Sequence, residues 1–212
     1  FSVGVRIEHL QQWIDEGLYG SFAGTEGLPP GEYSLSTRVE GRGCYSFCMC
    51  PGGQVVAAAS EAGGVVTNGM SYHARDGRNA NAALCVSVEP GDLPPGLMGG
   101  VAFQRGLEQA AFAPSGSFRA PTQRLGDFMA GQASRGFGAV TPTYPIGTEQ
   151  ADLNGILPGF VSETLKGAGG QFGRKLKGFA HGDAVLTGVE TRTSSPVRIL
   201  RGDSLWALQA DG

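Results

Sequence analysis

The chain has little of what many functions need in quantity. Only 17% of its 212 residues are charged and the net charge is -3. That leaves no electrostatic grip for nucleic acid or an anionic membrane surface. Its longest apolar runs, such as Val55–Ala59, are far too short to cross a bilayer. Phe1–Ile7 alternates instead of forming an apolar block behind positive charge, so no secretory leader is read there. The three histidines, His9, His73 and His181, are scattered. The four cysteines fall as C-x3-C-x-C (Cys44, Cys48, Cys50) with Cys85 far downstream, and lack the paired spacing of zinc ligands. No metal is expected, and the thiols read as reduced, in a cytoplasmic protein. There is no G-x-G-x-x-G between strand and helix, no G-x-x-x-x-G-K-[ST] and no G-x-S-x-G elbow.

Glycine is abundant, 36 residues, against an average usage near ~7%. The glycines keep no period and separate short apolar runs, which suits turns, bulges and close backbone approaches. Alternation predicts strands at Phe1–Glu8, Tyr33–Val39, Gly43–Cys50, Gln54–Ser60, Val65–Asn68, Cys85–Val88, Ala184–Glu190, Pro196–Leu200 and Ser204–Leu208. Glu40–Arg42 reads as a hairpin turn and Ser21–Gly31 as a loop. Helices are expected at His9–Gly17, Val101–Phe112 and Thr122–Ala130, the last capped by Thr122. A helical turn is expected at Asn79–Leu84, a short helix opening at Leu153–Ile156, and a helix broken by Gly167–Gly170 over 158–176. The order is strands, a helical block, strands. It predicts an α+β fold: a mostly antiparallel sheet or barrel carrying a small helical subdomain. The divisions are 1–100 (β-rich), 101–180 (inserted helical subdomain) and 181–212 (return strands). The chain opens without Met inside one strand-like stretch and closes after another, as expected of a piece of a larger protein whose ends pair in one sheet.

Three stretches could carry chemistry. In Cys44–Cys50 the cysteines occupy even positions and would share one strand face, as apolar fillers or as the wall of a site. Thr67–Asn81 gathers Asn68, Ser71, His73 and Arg75 just past a strand end, where loops often carry function. Glu190–Arg198 brings two arginines and four hydroxyls together between strands, an array suited to a phosphate, a carboxylate or an oxyanion. A solvated loop and an exposed bend are the plain alternatives for the last two.

The same stretches carry a resemblance. FSVGVRIEH, GRGCYSFCMCPGGQVV, TNGMSYHARDGRNANAAL, FQRGLEQAAF, PTQRLGDFM, DLNGILPGF and GDAVLTGVETRTSSPVRIL occur in this order over essentially the whole chain. Together they resemble the internal insert domain of a bacterial family of uncharacterised FAD-dependent dehydrogenases, NAD(P)/FAD-dependent oxidoreductase flavoproteins. The resemblance implies FAD in the full-length protein, held by segments outside this chain, with none tightly bound here. It implies a substrate-binding cap, inactive alone, partnered by the FAD-binding domain of the same polypeptide and able to dimerise in isolation. Tyr45, Cys48 and Cys50 would then look toward flavin or substrate. Gly52 and Gly53 would allow close backbone approach, His73 could relay a proton, and Arg192, Ser194, Ser195 and Arg198 could steady an anion. The competing expectations are a stand-alone module for a small anion and a structural interaction domain.

Overall fold

The computed structural model describes residues 1–208. Phe1, Val3, Val5 and Ile7 alternate as expected, and Ser2–Leu10 is strand β1. The helix that follows, α1 (Gln11–Tyr19), starts two residues later than expected, because His9 and Leu10 continue β1's pairing with the next strand inward. Strands β2 (Ser36–Val39) and β3 (Arg42–Cys50) form the expected hairpin. Both turn residues, Glu40 and Gly41, have positive φ, as a two-residue hairpin that follows the strand twist requires. Strands β4 (Gly53–Ala57) and β5 (Thr67–Ser71) pair only with each other, as a separate hairpin.

The expected helical turn at Asn79–Leu84 is instead the first part of strand β6 (Asn79–Ser87). Alanine favours helix in isolation, but this stretch lies between β1 and β3, and burial on both faces decides its conformation. Helix α2 (Gly99–Phe112) stands where expected. The expected helix at Thr122–Ala130 is split: Ala120–Arg124 is strand β7, and only Leu125–Ala130 is helical, α3. Thr122 pairs with Thr187 of the sheet instead of capping a helix. Then come β8 (Thr148–Gln150), α4 (Leu153–Ile156), α5 (Gly159–Lys175) and β9 (Val185–Glu190).

Helix α5 runs unbroken through Gly167, Gly169, Gly170 and Gly173. Each such glycine disfavours helix by about 1 kcal/mol relative to alanine. The packing explains two of them. A methyl at position 167 would lie 2.6 Å from Val39 Cγ1, and one at 173 would lie 2.6 Å from Ala180 Cβ. The glycines let the helix lie close against β2 and the 176–184 loop.

Seven strands form one mixed sheet in the order β2-β3-β6-β1-β9-β7-β8, antiparallel except for the β7–β8 pair. The fold is α+β and, among the described residues, the sheet is open and not a barrel. β1 and β9, near the two ends of the chain, are neighbours at its centre. Pro196–Leu200 and Ser204–Leu208, expected as strands, lie outside the sheet and are joined by one Arg201–Ala207 bridge. Their valine and isoleucine side chains have no sheet of their own to bury against. No helix among the described residues is long and apolar enough to cross a membrane.

The register assigns the two faces of the sheet. Val3, Val5, Ile7 and His9 share a face with Ala82, Leu84, Val86 and Cys44. The apolar side chains among them join Leu153 of α4 and Val161, Leu165, Ala168 and Phe172 of α5 in the core. Arg6, Glu8, Asn81, Ala83 and Cys85 point the other way. That face is buried as well, so Val3 to His9 are all inaccessible.

Candidate functional site

Arg6 is fully buried on the polar face. An unpaired guanidinium there would be very costly, and every branch of Arg6 is engaged. Nη1 donates to the Cys48 carbonyl at 2.8 Å and to Asn81 Oδ1 at 3.3 Å. Nη2 donates to Asn68 Oδ1 at 2.7 Å and Glu190 Oε1 at 3.2 Å, and Nε lies 2.5 Å from Glu190 Oε2. One side chain of β1 thus ties together β3, β5, β6 and β9. The β4–β5 hairpin crosses above it only because position 69 is glycine. A methyl at that position would lie 2.2 Å from Asn81 Oδ1 and 2.6 Å from Arg6 Nη1. Burial raises the Glu190 carboxyl above its ordinary range, and the Arg6 charge pulls it back.

Beside this network, Glu8 is buried and has no cationic partner among the described residues. It accepts from Thr143 Oγ1 at 2.7 Å, Asn79 Nδ2 at 3.0 Å and the Thr143 amide at 3.2 Å. Its carboxyl is raised by desolvation, which these hydrogen bonds only partly offset. Thr143 Oγ1 also accepts from the Val55 amide at 2.8 Å, so Glu8 helps to seat the hairpin.

Cys48 sits at a bulge. Between Phe47 and Cys50 the pairing with β6 slips by one residue, and Cys48 has φ +46. The expectation that three cysteines share a face is therefore corrected. Cys44 lies opposite Val86 in the apolar core, whereas Cys50 lies opposite Asn81 on the polar face and Cys48 is exposed. An inserted residue reverses the alternation, and nothing in the spacing announces it. Burial pushes Cys44 up to about 12 and raises Cys85 and Cys50. Cys50 Sγ donates to the Cys48 carbonyl at 3.3 Å.

The other residues singled out in the sequence divide into groups. Asn68 is exposed, and its Oδ1 also accepts from the Gly69 amide at 2.7 Å. Both of these bonds are made by the side-chain oxygen. Tyr45 is half exposed with its ring over Gly43, where a methyl would strike it. Gly52 and Gly53 approach this chain's own backbone, at Arg75 and Met70. The Gly52 amide donates to Gln11 Oε1 at 2.8 Å. Ser71 Oγ donates to the Pro51 carbonyl at 2.7 Å. His73 is exposed in the Tyr72–Arg75 turn, and Arg75 pairs with Glu32.

Arg192 belongs to a different cluster. Its Nε and Nη2 grip Glu108 of α2 at 2.6 and 2.8 Å, and Nη2 reaches Glu61 at 3.6 Å. Thr191 Oγ1 donates to the same Glu108 at 2.7 Å. Ser194 and Ser195 border a cavity of about 310 Å³ with Arg192, Gln104, Val101 and Pro196. Ser195 Oγ donates to the Val197 carbonyl at 2.7 Å, and Arg198 is exposed. Among the described residues, the Cys48–Asn68 group and the Arg192 group are connected through Arg6, Glu190 and Thr191, and also through the Val65 amide just before β5, which donates to the Glu108 carbonyl at 3.0 Å. Arg6, Asn81 and Glu108, which hold the two groups in place, were not among the sequence candidates. The signal for Arg6 is charge alternating with apolar residues in β1, which reads equally well as a solvent face; Asn81 lies in β6 and Glu108 in α2, outside that pattern.

The family described as FAD-dependent protein, C-terminal domain-like, matches residues 1–193, and the chain belongs to that family. An uncharacterized protein of Clostridium beijerinckii is 48% identical over 216 residues, covering 100% of this chain. The chain spans about 40% of that relative's length. Two glycine-rich turns among the described residues pack against this chain's own backbone and side chains. The glycine-rich turn entering α2 is closed off, since a methyl at Gly99 would lie 2.0 Å from the Pro94 carbonyl and one at Gly100 2.5 Å from Pro196. The Gly52–Gly53 turn is filled by Arg75 and Met70.

Proposed function

We propose that this domain is the substrate-binding cap of a larger FAD-dependent oxidoreductase, an insert that covers the flavin and supplies part of the substrate pocket. The observation that carries the reading is the fixing of Cys48 and Asn68 by Arg6. A buried guanidinium holds the Cys48 carbonyl of β3 and the Asn68 side-chain oxygen of the β4–β5 hairpin, and both residues are exposed. Exposed polar groups on a locked support are what a binding wall needs, because little ordering entropy is left to lose on binding. In this reading FAD supplies the redox chemistry and is held by other parts of the polypeptide. This domain orients the substrate and excludes water, and is inactive alone.

A stand-alone anion module built on Arg192, Ser194, Ser195 and Arg198 has less support, because Glu108 and Glu61 already neutralise Arg192. The test uses the full-length, FAD-loaded polypeptide. Asn68→Ala and Cys48→Ser should leave flavin content unchanged and shift the rates of flavin reduction or reoxidation by about tenfold, the worth of one hydrogen bond. Rates within twofold of the parent for both variants would refute the cap reading.

A further inference from the structure

Among the described residues, the segment 197–208 is a surface hairpin whose side chains take no part in the hydrophobic core. Leu208 N donates to the Leu200 carbonyl at 3.0 Å and Gly202 N to the Trp206 carbonyl at 3.0 Å, closing a tight loop over Asp203–Leu205. Its large apolar side chains face outward: Ile199 is 72% exposed, Leu205 74% and Trp206 68%. Val197, Leu200 and Leu208 are also exposed. Pro196, at the base of the hairpin, packs closely on Gly100 near the start of α2, and Leu97 and Met98, just before that glycine in the chain, are exposed as well. A lone two-stranded hairpin is at best marginal in water, and so many exposed large apolar side chains on one short segment mark an interaction surface. Arg198 and Arg201 flank the patch and make no ion pair among the described residues.

We propose that this hairpin, with Leu97 and Met98, docks onto the remainder of the same polypeptide, on an apolar surface bordered by carboxylates. The relative's length argues for this occupant. It matches the chain end to end, yet about three fifths of it lies outside the match, so a covalently tethered partner is present at high effective concentration. The inference rests on the reading of the chain as a domain of a larger FAD-dependent protein, but not on the roles of Cys48 and Asn68.

Hydrogen exchange on the full-length polypeptide tests it. Amides of 200–208 should exchange about a hundredfold more slowly than unstructured chain, independently of protein concentration. Trp206→Ser combined with Leu205→Asp should abolish that protection while the β1, β6 and β9 amides keep theirs. Rapid exchange of 200–208 in the parent would overturn the proposal. So would protection that disappears on dilution together with a dimer, which would make a second copy the occupant. If protection is found while Asn68→Ala and Cys48→Ser leave the flavin rates unchanged, the cap reading falls and the docking surface stands.

Discussion

On one face of β1, Val3, Val5 and Ile7 meet Val86, Leu84 and Ala82. On the other, Arg6 and Glu8 meet Ala83, Asn81, Thr187 and Glu190. Both faces are buried, yet they are held by different physics. The apolar face gains from removing hydrocarbon from water, roughly 1.5–3 kcal/mol for each large side chain. It tolerates substitutions that conserve volume. The polar face gains little net energy from each contact, because every charge must first be desolvated. What it adds is direction: each hydrogen bond names one donor and one acceptor, and so fixes the hairpin and the Cys48 bulge in a single arrangement.

That contrast can be tested by rescue. Arg6→Met should cause the largest loss, about 3–5 kcal/mol in urea unfolding, because it leaves Glu190 buried without its partner. Adding Glu190→Leu should restore most of that loss. A double variant no more stable than Arg6→Met would mean that the ion pair is not what the polar face depends on. Ile7→Ala should cost about 3 kcal/mol through the cavity it leaves, and no change on a neighbouring strand of similar size should repair it fully. Rescue of the polar face but not of the apolar face would sharpen the distinction.

Acid probes a third contrast. His9 is buried among Tyr33 and Phe179, its Nε2 set 2.7 Å from the Phe179 carbonyl, and its pKa is lowered to about 4 by desolvation. The folded state therefore binds fewer protons at this site than the unfolded chain. The contribution is present above pH 6.5 and is lost as the pH falls toward 4, about 3 kcal/mol in all. Glu8 and Glu190 act in the opposite sense. Their carboxyls are raised by burial, so their contribution is present below about pH 4.5 and is lost as pH rises through the shifted values. His9→Phe should remove the acid-side loss in denaturation followed against pH. Glu8→Gln should produce the smallest change. It should cost about 1 kcal/mol through a poorer contact with the Thr143 amide, and it should flatten the decline above pH 4.5.

Elements whose signal is local were legible in the chain. The alternation of β1, the Glu40–Gly41 turn, α2 and β9 all follow from side-chain period and glycine placement. Elements decided by their neighbours were not. Asn79–Leu84 has the composition of a helix and the position of a central strand. Gly167–Gly173 has the composition of a break and the position of a close helix–strand contact. The candidate site divides in the same way. Cys48 and Asn68 stood out as polar or reactive residues near strand ends, whereas Arg6, which holds them, looked like any charged residue in an alternating strand.

The sequence by itself determined the α+β class, most strands, the membership of an FAD-dependent family and the absence of a nucleotide fingerprint between Phe1 and Gly212. These follow from periods of two to four residues and from motif spacing, which are properties of neighbours along the chain. Tertiary structure alone decided that β1 is buried on both faces, that a bulge separates Cys44 from Cys50, and that Glu108 already neutralises Arg192. Those facts depend on which residues, far apart in the chain, lose their water together, and no local pattern encodes that.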